Sequence, residues 1–310
     1  MEQKVIVIVG PTCSGKTKLS LILAEKLNTE IISADSRQIY KYLTIGTAKP
    51  DAEELRSIKH HFIDELNPDE EFNADIFSRK ARKIISELLE KKKIPVVVGG
   101  SGLYIKALID GITATVVSDK FLREELLMLR NKYGNEYLYN ELKKIDPVSA
   151  DKMLPQNWKR VIRAIEVYRL TGKPIWMHHK ENKVNHDFDF IQYGLKWDRK
   201  FLYSNIEKRV DEMIKRGLID EVKMILCIGY SKEINSLNSL GYKEIIDLLE
   251  NKITLNEAVN LIKRNTRRFA KRQLTWFNAD KRIHWIEAIS FDDLNLIVEN
   301  ILKDMYETEN

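Results

Sequence analysis

Residues 10–17 read GPTCSGKT and directly follow the apolar run Val5–Val9. Gly10, Gly15, Lys16 and Thr17 satisfy the spacing G-x-x-x-x-G-K-[ST]. Glycines at those places let backbone N–H groups turn inward around phosphate oxygens, with Pro11, Thr12, Cys13 and Ser14 completing the loop. Lys16 brings a point charge and Thr17 a hydroxyl suited to Mg²⁺. The helix beginning near Lys18 points its positive end at the anion. Such a loop binds a diphosphate or a triphosphate. It does not say which, or for what reaction. Cys13 reads as a small filler of the loop rather than as a reactive thiol.

Two further loops carry chemistry. Ala34-Asp35-Ser36-Arg37-Gln38 follows a short strand, Glu30–Ser33. A carboxylate there can bind Mg²⁺ or act as a general base, or it can merely cap a following helix. Ser36 and Gln38 add groups able to read a polar ring edge. The third loop ends the run VVVGGSG, where Gly99 and Gly100 allow close backbone approach and Ser101 offers a hydroxyl. Many P-loop NTPases place an acidic metal ligand at such a strand end. None stands here, and there is no Asp-rich cluster to hold a diphosphate through several metal ions. Charge neutralisation then falls to the loop amides, Lys16, one Mg²⁺ and an added cation. Arg209, in NIEKRVDEMIKRGLIDEV, is the candidate. An arginine beside the apolar stripe Val210, Met213, Ile214 and Leu218 also suits an ordinary solvated position.

The stretch 263–277 reads KRNTRRFAKRQLTWF, with six basic residues and no acidic one between Lys263 and Gln273. Arg264, Arg267, Arg268 and Lys271 fall at helical spacing, with Phe269, Trp276 and Phe277 interleaved. Basic residues with aromatics suit a nucleic-acid backbone and unstacked bases, although a solvated cationic face has the same pattern. Trp158-Lys159-Arg160 with Arg163 forms a second basic cluster. His60-His61 and His178-His179 lack cysteine partners at ligand spacing, so zinc is not expected.

These loops need elements to hold them. Strands at 4–9, 30–33 and 94–98 alternate with helices at 18–27, 74–92 and from about 103, the β-α-β-α-β order of a doubly wound parallel sheet. Ligands of such sheets sit at the carboxyl ends of the strands, where loops 10–17, 34–38 and 99–102 converge. From 119 to 171 the pattern is helical, punctuated by Asp146-Pro147 and Leu154-Pro155 and ended by Gly172-Lys173-Pro174. A strand at 191–197 is followed by helices at 199–216, 218–227, 241–250, 255–265 and 266–277, then a late strand at 282–286. The expectation is an α/β fold: a core of residues 1–118 and 186–310 with an all-helical insertion at 119–185. At 310 residues the chain has length for about two domains. No apolar run approaches the ~20 residues of a membrane helix, and no signal peptide precedes the first strand. Two cysteines are too few for a disulfide scaffold and fit a cytoplasmic protein. No self-association pattern stands out, which favours a monomer. The net charge of +5 is a mild hint of an anionic partner.

The ordered set GPTCSGKT, ISADSRQIYKYLTIGTAKP, VVVGGSGLYIKAL and KRQLTWF resembles the tRNA isopentenyltransferase (dimethylallyltransferase) family. Weaker likeness extends through DPVSADKMLPQNWKRVIRAIEVYRLTGKP, RVDEMIKRGLIDEV and SLGYKEI, so that it spans the chain from Lys4 to about Trp285. The resemblance implies a P-loop core with a helical domain clasping the anticodon stem-loop of tRNA. It implies transfer of a dimethylallyl group from dimethylallyl diphosphate to N6 of adenosine 37 in tRNAs reading codons that begin with U. Carried over by motif, Asp35 is the general base, Lys16 and Arg209 grip the diphosphate, Thr17 holds Mg²⁺, and Ser101 contacts the acceptor. Many relatives have threonine at 101; serine keeps the hydroxyl. The implied tRNA-contacting residues are Asp35, Ser36, Arg37, Gln38, Ser101, Arg123, Lys159, Arg160, Arg163, Gly241, Tyr242, Lys243, Lys271, Arg272, Gln273 and Trp276. No Cys/His set follows Cys227, so the resemblance is to the bacterial form, without a zinc finger. Two other readings of the P-loop remain at this point: a small-molecule or nucleotide kinase, and a nucleotide-gated RNA-binding module.

Overall fold

The computed structural model describes residues 3–111, 119–181 and 187–307. In chain order the elements begin β1 (Lys4–Val9), α1 (Lys16–Lys26), β2 (Ile31–Ser33), α2 (Ala52–Ser57), β3 (His60–His61), α3 (Ala74–Glu90), β4 (Val96–Gly99) and α4 (Gly102–Asp110). Then come α5 (Lys120–Ile145), α6 (Pro147–Ala150), α7 (Trp158–Thr171) and α8 (Ile175–Glu181). The chain closes with β5 (Asp189–Trp197), α9 (Arg199–Lys215), α10 (Leu218–Cys227), α11 (Tyr242–Leu249), α12 (Leu255–Asn278), β6 (Ile283–Ala288) and α13 (Leu294–Glu307).

The strands form one sheet in the order β3-β2-β4-β1-β5-β6, and every pairing is parallel. Every residue of β1 is buried. A central parallel strand has helices on both faces, so KVIVIV is continuously apolar after its lysine rather than alternating. Lys4 itself is buried and donates from Nζ to the Met305 carbonyl at 3.1 Å. On one face Leu19 and Leu23 of α1 meet Ile6, Ile8, Val298 and Ile301. On α3, Phe77, Ala81, Ile85 and Leu88 recur every three or four residues and are buried, the stripe of a helix lying on a core. Because β2, β4 and β1 are neighbours, the loops that leave their carboxyl ends meet. The P-loop-type doubly wound core is therefore what brings residues 10–17, 34–38 and 99–102 together.

Several elements differ from the sequence reading. The helices expected at 255–265 and 266–277 are one helix, α12. No glycine or proline interrupts it, and Ala258, Ile262, Ala270, Gln273 and Phe277 keep one face buried throughout. A capping box starts it, with the Thr254 N–H donating to the Glu257 carboxylate at 2.8 Å. His60–His61, read only as a metal question, form the edge strand β3, and His61 Nε2 lies 2.7 Å from Glu30 Oε2. Helices α2 and α13 had no counterpart in the sequence reading.

The chain divides into two compact units, Met1–Ile109 with His186–Asn310, and Asp110–Asn185. The second is helical and has its own core, which includes Leu126, Leu138, Leu142, Val161 and Ile165. Helix α5 breaks at Gly134, whose φ of 86° and ψ of 176° are non-helical. Gly172 ends α7 in the left-handed conformation, and a short further helix, α8, restarts after Pro174. The expected boundaries at 118 and 185–186 lie outside the described residues. Among the described residues no helix is long and apolar enough to cross a membrane.

Candidate active site

The phosphate loop is braced from behind. Gly10 has φ of 147°, and a Cβ there would stand 3.3 Å from the Leu195 carbonyl oxygen. Gly15 caps α1 at φ 81°, and a Cβ would meet the Phe291 ring at 2.9 Å. Only glycine allows that turn and that approach together. Trp197 Nε1 donates to the Ser14 carbonyl at 2.9 Å, and its ring lies 4.7 Å from Phe201 and 4.9 Å from Phe291. Cys13 is buried within the loop at φ 63°, as a filler would be. Lys16 Nζ donates to the Pro11 carbonyl at 2.6 Å. Burial, and then the nearby charge of Arg209, lower its pKa to about 8. Asp35 and Cys13 act the other way and offset this only in part, and two cations, Lys16 and Arg209, line one cleft, a pattern that suits an anion.

Asp35 leads a tight turn. Its Oδ1 accepts from the N–H groups of Arg37 at 2.8 Å and Gln38 at 3.3 Å. This is an Asx turn, and the next helix starts only at Ala52, so helix capping is not its role. Oδ2 makes no hydrogen bond to a described residue. Ser101 Oγ accepts from the Ser36 N–H at 3.1 Å, so the third loop fixes the second. The Gln38 amide is fully used. Its Oε1 accepts from Ser33 Oγ at 3.1 Å, and its Nε2 donates to the Thr47 and Ala48 carbonyls, each at 3.2 Å. Gln273 joins the first loop to the third: Oε1 accepts from the Thr12 N–H at 2.8 Å and Nε2 donates to the Gly100 carbonyl at 2.9 Å. It is 6% exposed, so both Gln38 and Gln273 act as braces.

These groups surround a cleft of about 540 Å³. Its polar lining includes Thr12 to Thr17, Asp35, Gln38, Arg209 and Gln273, with Lys49, Glu54, Glu212 and Arg216 also on the wall. Ile45, Met213, Phe269 and Phe291 supply apolar wall. A strongly polar anion pocket opening onto apolar side chains suits a ligand with a diphosphate head and a hydrocarbon tail. Among the described residues no cluster of three or more His, Cys, Asp or Glu could hold a metal unaided.

The remaining expected residues separate by location. On α12, Lys263 pairs with Asp211 at 2.6 Å and Arg267 with Glu207 at 2.7 Å, both on α9. Arg264, Arg268 and Lys271 stay exposed, without an ion pair to a described residue. Arg272 lies over Phe269 at 5.8 Å, and Trp276 is 41% exposed beside Gly102, where a Cβ would meet its ring at 2.3 Å. In the helical unit, Lys159 and Arg160 are exposed, whereas Arg123 and Arg163 both bind the buried Glu166 carboxylate, at 3.1 and 2.8 Å. Arg130 lies 4.1 Å over the Trp158 ring. Gly241 starts α11 and Lys243 is exposed, but Tyr242 is wholly buried, donating from its hydroxyl to Glu221 at 2.6 Å. Sequence reasoning missed the apolar wall and Glu221. The pair Glu221-Val222 in GLIDEV carries no spacing signal that marks it, and Phe291 lies in a stretch with no assigned element.

The chain is similar to known proteins over almost its whole length. The sequence profile of the IPP transferase family matches residues 38–280. The chain is 49% identical to the tRNA dimethylallyltransferase of Alkaliphilus oremlandii over 305 residues, 98% of this chain and 97% of that protein. It is 50% identical to that of Acetivibrio thermocellus over 299 residues, 96% of each. Among solved structures, the tRNA isopentenylpyrophosphate transferase of Bacillus halodurans superposes with a TM-score of 0.73 at 40% identity, covering 99% of this chain and 98% of that one. A eukaryotic dimethylallyltransferase acting on tRNA gives a TM-score of 0.83 at 30% identity, covering 98% of this chain and 80% of that one. With a profile match over most of its length and relatives near half identical, the chain belongs to the IPP transferase family.

Proposed function

We propose that this protein transfers the dimethylallyl group of dimethylallyl diphosphate to N6 of adenosine 37 in tRNAs reading codons that begin with U, releasing diphosphate. One observation carries the reading. The cations Lys16 and Arg209, the Asp35 carboxylate and an apolar wall line the same cleft.

The chemistry follows from those groups. The N6 amine of adenine is a weak nucleophile because its lone pair is delocalised into the ring. Asp35 Oδ2 takes the N6 proton as the N–C bond forms, while Oδ1 stays held by two backbone N–H groups. A positioned base typically gives about 10²–10⁴-fold. As the allylic C–O bond breaks, its electron pair leaves with the diphosphate. Loop amides, Lys16 and Arg209 stabilise that charge, and the Lys16 ammonium leaves Pro11 for phosphate oxygen. The Thr17 side chain lines the cleft and makes no hydrogen bond to a described residue, so its hydroxyl suits Mg²⁺. Thr17 would hold Mg²⁺, and the ion would supply further charge neutralisation to the leaving diphosphate. The apolar wall keeps water from the allylic carbon, which favours transfer over hydrolysis.

For the acceptor, adenosine 37 leaves the loop stack to reach Asp35. The exposed Arg264, Arg268 and Lys271 with Trp276 suit a phosphate backbone and an unstacked base. In the helical unit, Lys159 and Arg160, with Arg123 and Arg163 fixed by Glu166, offer a second basic surface for the anticodon stem-loop. Cys13 and Cys227 are both free thiols, which supports a reducing, cytoplasmic setting, and we read the enzyme as a monomer. Incubating the protein with labelled dimethylallyl diphosphate, Mg²⁺ and undermodified tRNA should label the tRNA. ATP hydrolysis without transfer to any tRNA would contradict the reading.

A further inference from the structure

Loop 44–49 forms part of the cleft wall yet has no helix or strand of its own. Its position rests on tethers. Lys49 at its end is buried, donates to the Tyr40 carbonyl at 2.6 Å and pairs with Asp64. The start of the loop is held by Glu221 of α10, 8% exposed. Its Oε2 accepts from the Thr44 N–H at 3.1 Å and the Ile45 N–H at 2.6 Å. Its Oε1 accepts from the Gly46 N–H at 3.1 Å and the Tyr242 hydroxyl at 2.6 Å. Three successive N–H groups converging on one carboxylate form an anion nest filled from within the protein. Glu221 makes no ion pair to a described residue at contact distance; the nest amides and the phenol hold its carboxylate, and the charge of Lys49 acts on it from farther off. Tyr242 closes the arrangement, because a Cβ at Gly46 would stand 2.4 Å from its ring. On the other side, Gln38 holds the Thr47 and Ala48 carbonyls. Ile45, whose own N–H makes the shortest of these backbone bonds, lines the cleft.

We propose that Glu221 is a positioning residue that fixes loop 44–49 as the wall against the prenyl chain, and that it thereby sets which chain length the donor may have. The inference rests on the reading that this cleft takes a prenyl diphosphate. Glu221 touches no substrate; it acts through the backbone that carries Ile45.

The test compares wild type, Glu221→Gln and Tyr242→Phe. A glutamine turns one accepting oxygen into an NH₂ group, which faces backbone N–H groups that need an acceptor. Phenylalanine keeps the ring on Gly46 and removes one hydrogen bond. Steady-state transfer is measured with dimethylallyl and geranyl diphosphate at saturating tRNA, and the affinity for inorganic diphosphate by calorimetry. Loss of one charge-assisted hydrogen bond corresponds to about a tenfold change. Glu221→Gln should raise KM for the dimethylallyl donor by about that factor and narrow the preference over geranyl diphosphate, with inorganic diphosphate affinity kept. Tyr242→Phe should shift both in the same direction by less, and it decides the matter alone where Glu221→Gln fails to fold. An unchanged donor preference, or diphosphate affinity falling in step with KM, overturns the inference. Wild-type transfer to tRNA separates the cases: without it the reading of the cleft fails, and with it only the positioning role is at stake.

Discussion

Gln273→Leu tests the idea that the site is assembled by stitching loops together. The substitution keeps the volume and removes both hydrogen bonds, leaving the Thr12 N–H and the Gly100 carbonyl without partners. An orphaned buried group costs about 1–3 kcal/mol, and Thr12 faces the cleft, where water partly replaces the lost bond. The sum is roughly 2–4 kcal/mol of stability. At about 2–4 °C per kcal/mol for a chain of this size, Tm should fall by roughly 5–15 °C. Catalysis should suffer more than stability. The phosphate loop and the Ser101 loop would be free to drift relative to one another, and a misplacement of about 1 Å costs on the order of 100-fold. Labelled transfer at saturating substrates gives kcat, and calorimetry with inorganic diphosphate reports on the loop. Gln273→Glu is the companion variant. It can still accept from Thr12, cannot donate to Gly100, and puts a negative charge beside the diphosphate, so diphosphate affinity should drop further than with leucine. Wild-type kcat and Tm in Gln273→Leu would refute the bracing role. Loss of tRNA affinity alone would return Gln273 to RNA contact.

Other outcomes follow from the same geometry. Lys16 has its pKa lowered to about 8 in the ligand-free protein, so it is cationic below that pH and loses its charge above it. The ratio of inorganic diphosphate affinities of wild type and Lys16→Met, measured by calorimetry from pH 7 to 9.5 so that the titration of diphosphate itself cancels, should be flat up to about pH 8 and then fall by up to tenfold per unit. Gly46→Ala places a methyl against the buried Tyr242 ring. It should lower stability by about 1–3 kcal/mol in thermal unfolding, and Tyr242→Phe should not rescue it, because the clash is with the ring. Arg268→Glu or Lys271→Glu should weaken tRNA binding and reduce its salt slope by about 1 for each phosphate no longer neutralised, measured by filter binding at several salt concentrations. Arg267→Ala should do less, since that guanidinium is already engaged by Glu207.

What the sequence made legible is what spacing encodes. GPTCSGKT after an apolar run specifies a strand, an anion loop and a helix, and all three form as expected. Asp35 and the Gly99–Gly102 loop were placed beside it because parallel strands put their carboxyl ends on one edge. The division of labour among the polar residues was not legible. Gln38 and Gln273 have the composition of base-reading residues, yet their amides are consumed by backbone groups from loops distant in sequence. Arg264 and Arg267 look alike within one basic run, and only the acidic face of α9 separates the exposed one from the paired one. The strand at His60–His61 is two residues long, and its pairing with β2 is entirely tertiary. The apolar wall comes from Ile45, Met213, Phe269 and Phe291, four separate segments that no local pattern joins.

In the proposed mechanism Asp35 removes the N6 proton in a cleft whose phosphate loop works independently of it. Asp35→Asn keeps the Oδ1 acceptor for the Arg37 and Gln38 N–H groups and removes only the basic oxygen. The decisive measurement is single-turnover transfer of labelled dimethylallyl to tRNA by this variant, with the labelled nucleoside mapped by nuclease digestion and tRNA and inorganic diphosphate affinities measured alongside. Asp35→Asn should transfer at a rate lower by about 10²–10⁴-fold, with label at the adenosine beside the anticodon wherever it appears and both affinities close to wild type. A near-wild-type rate, or a loss explained by weakened binding of either partner, would contradict it.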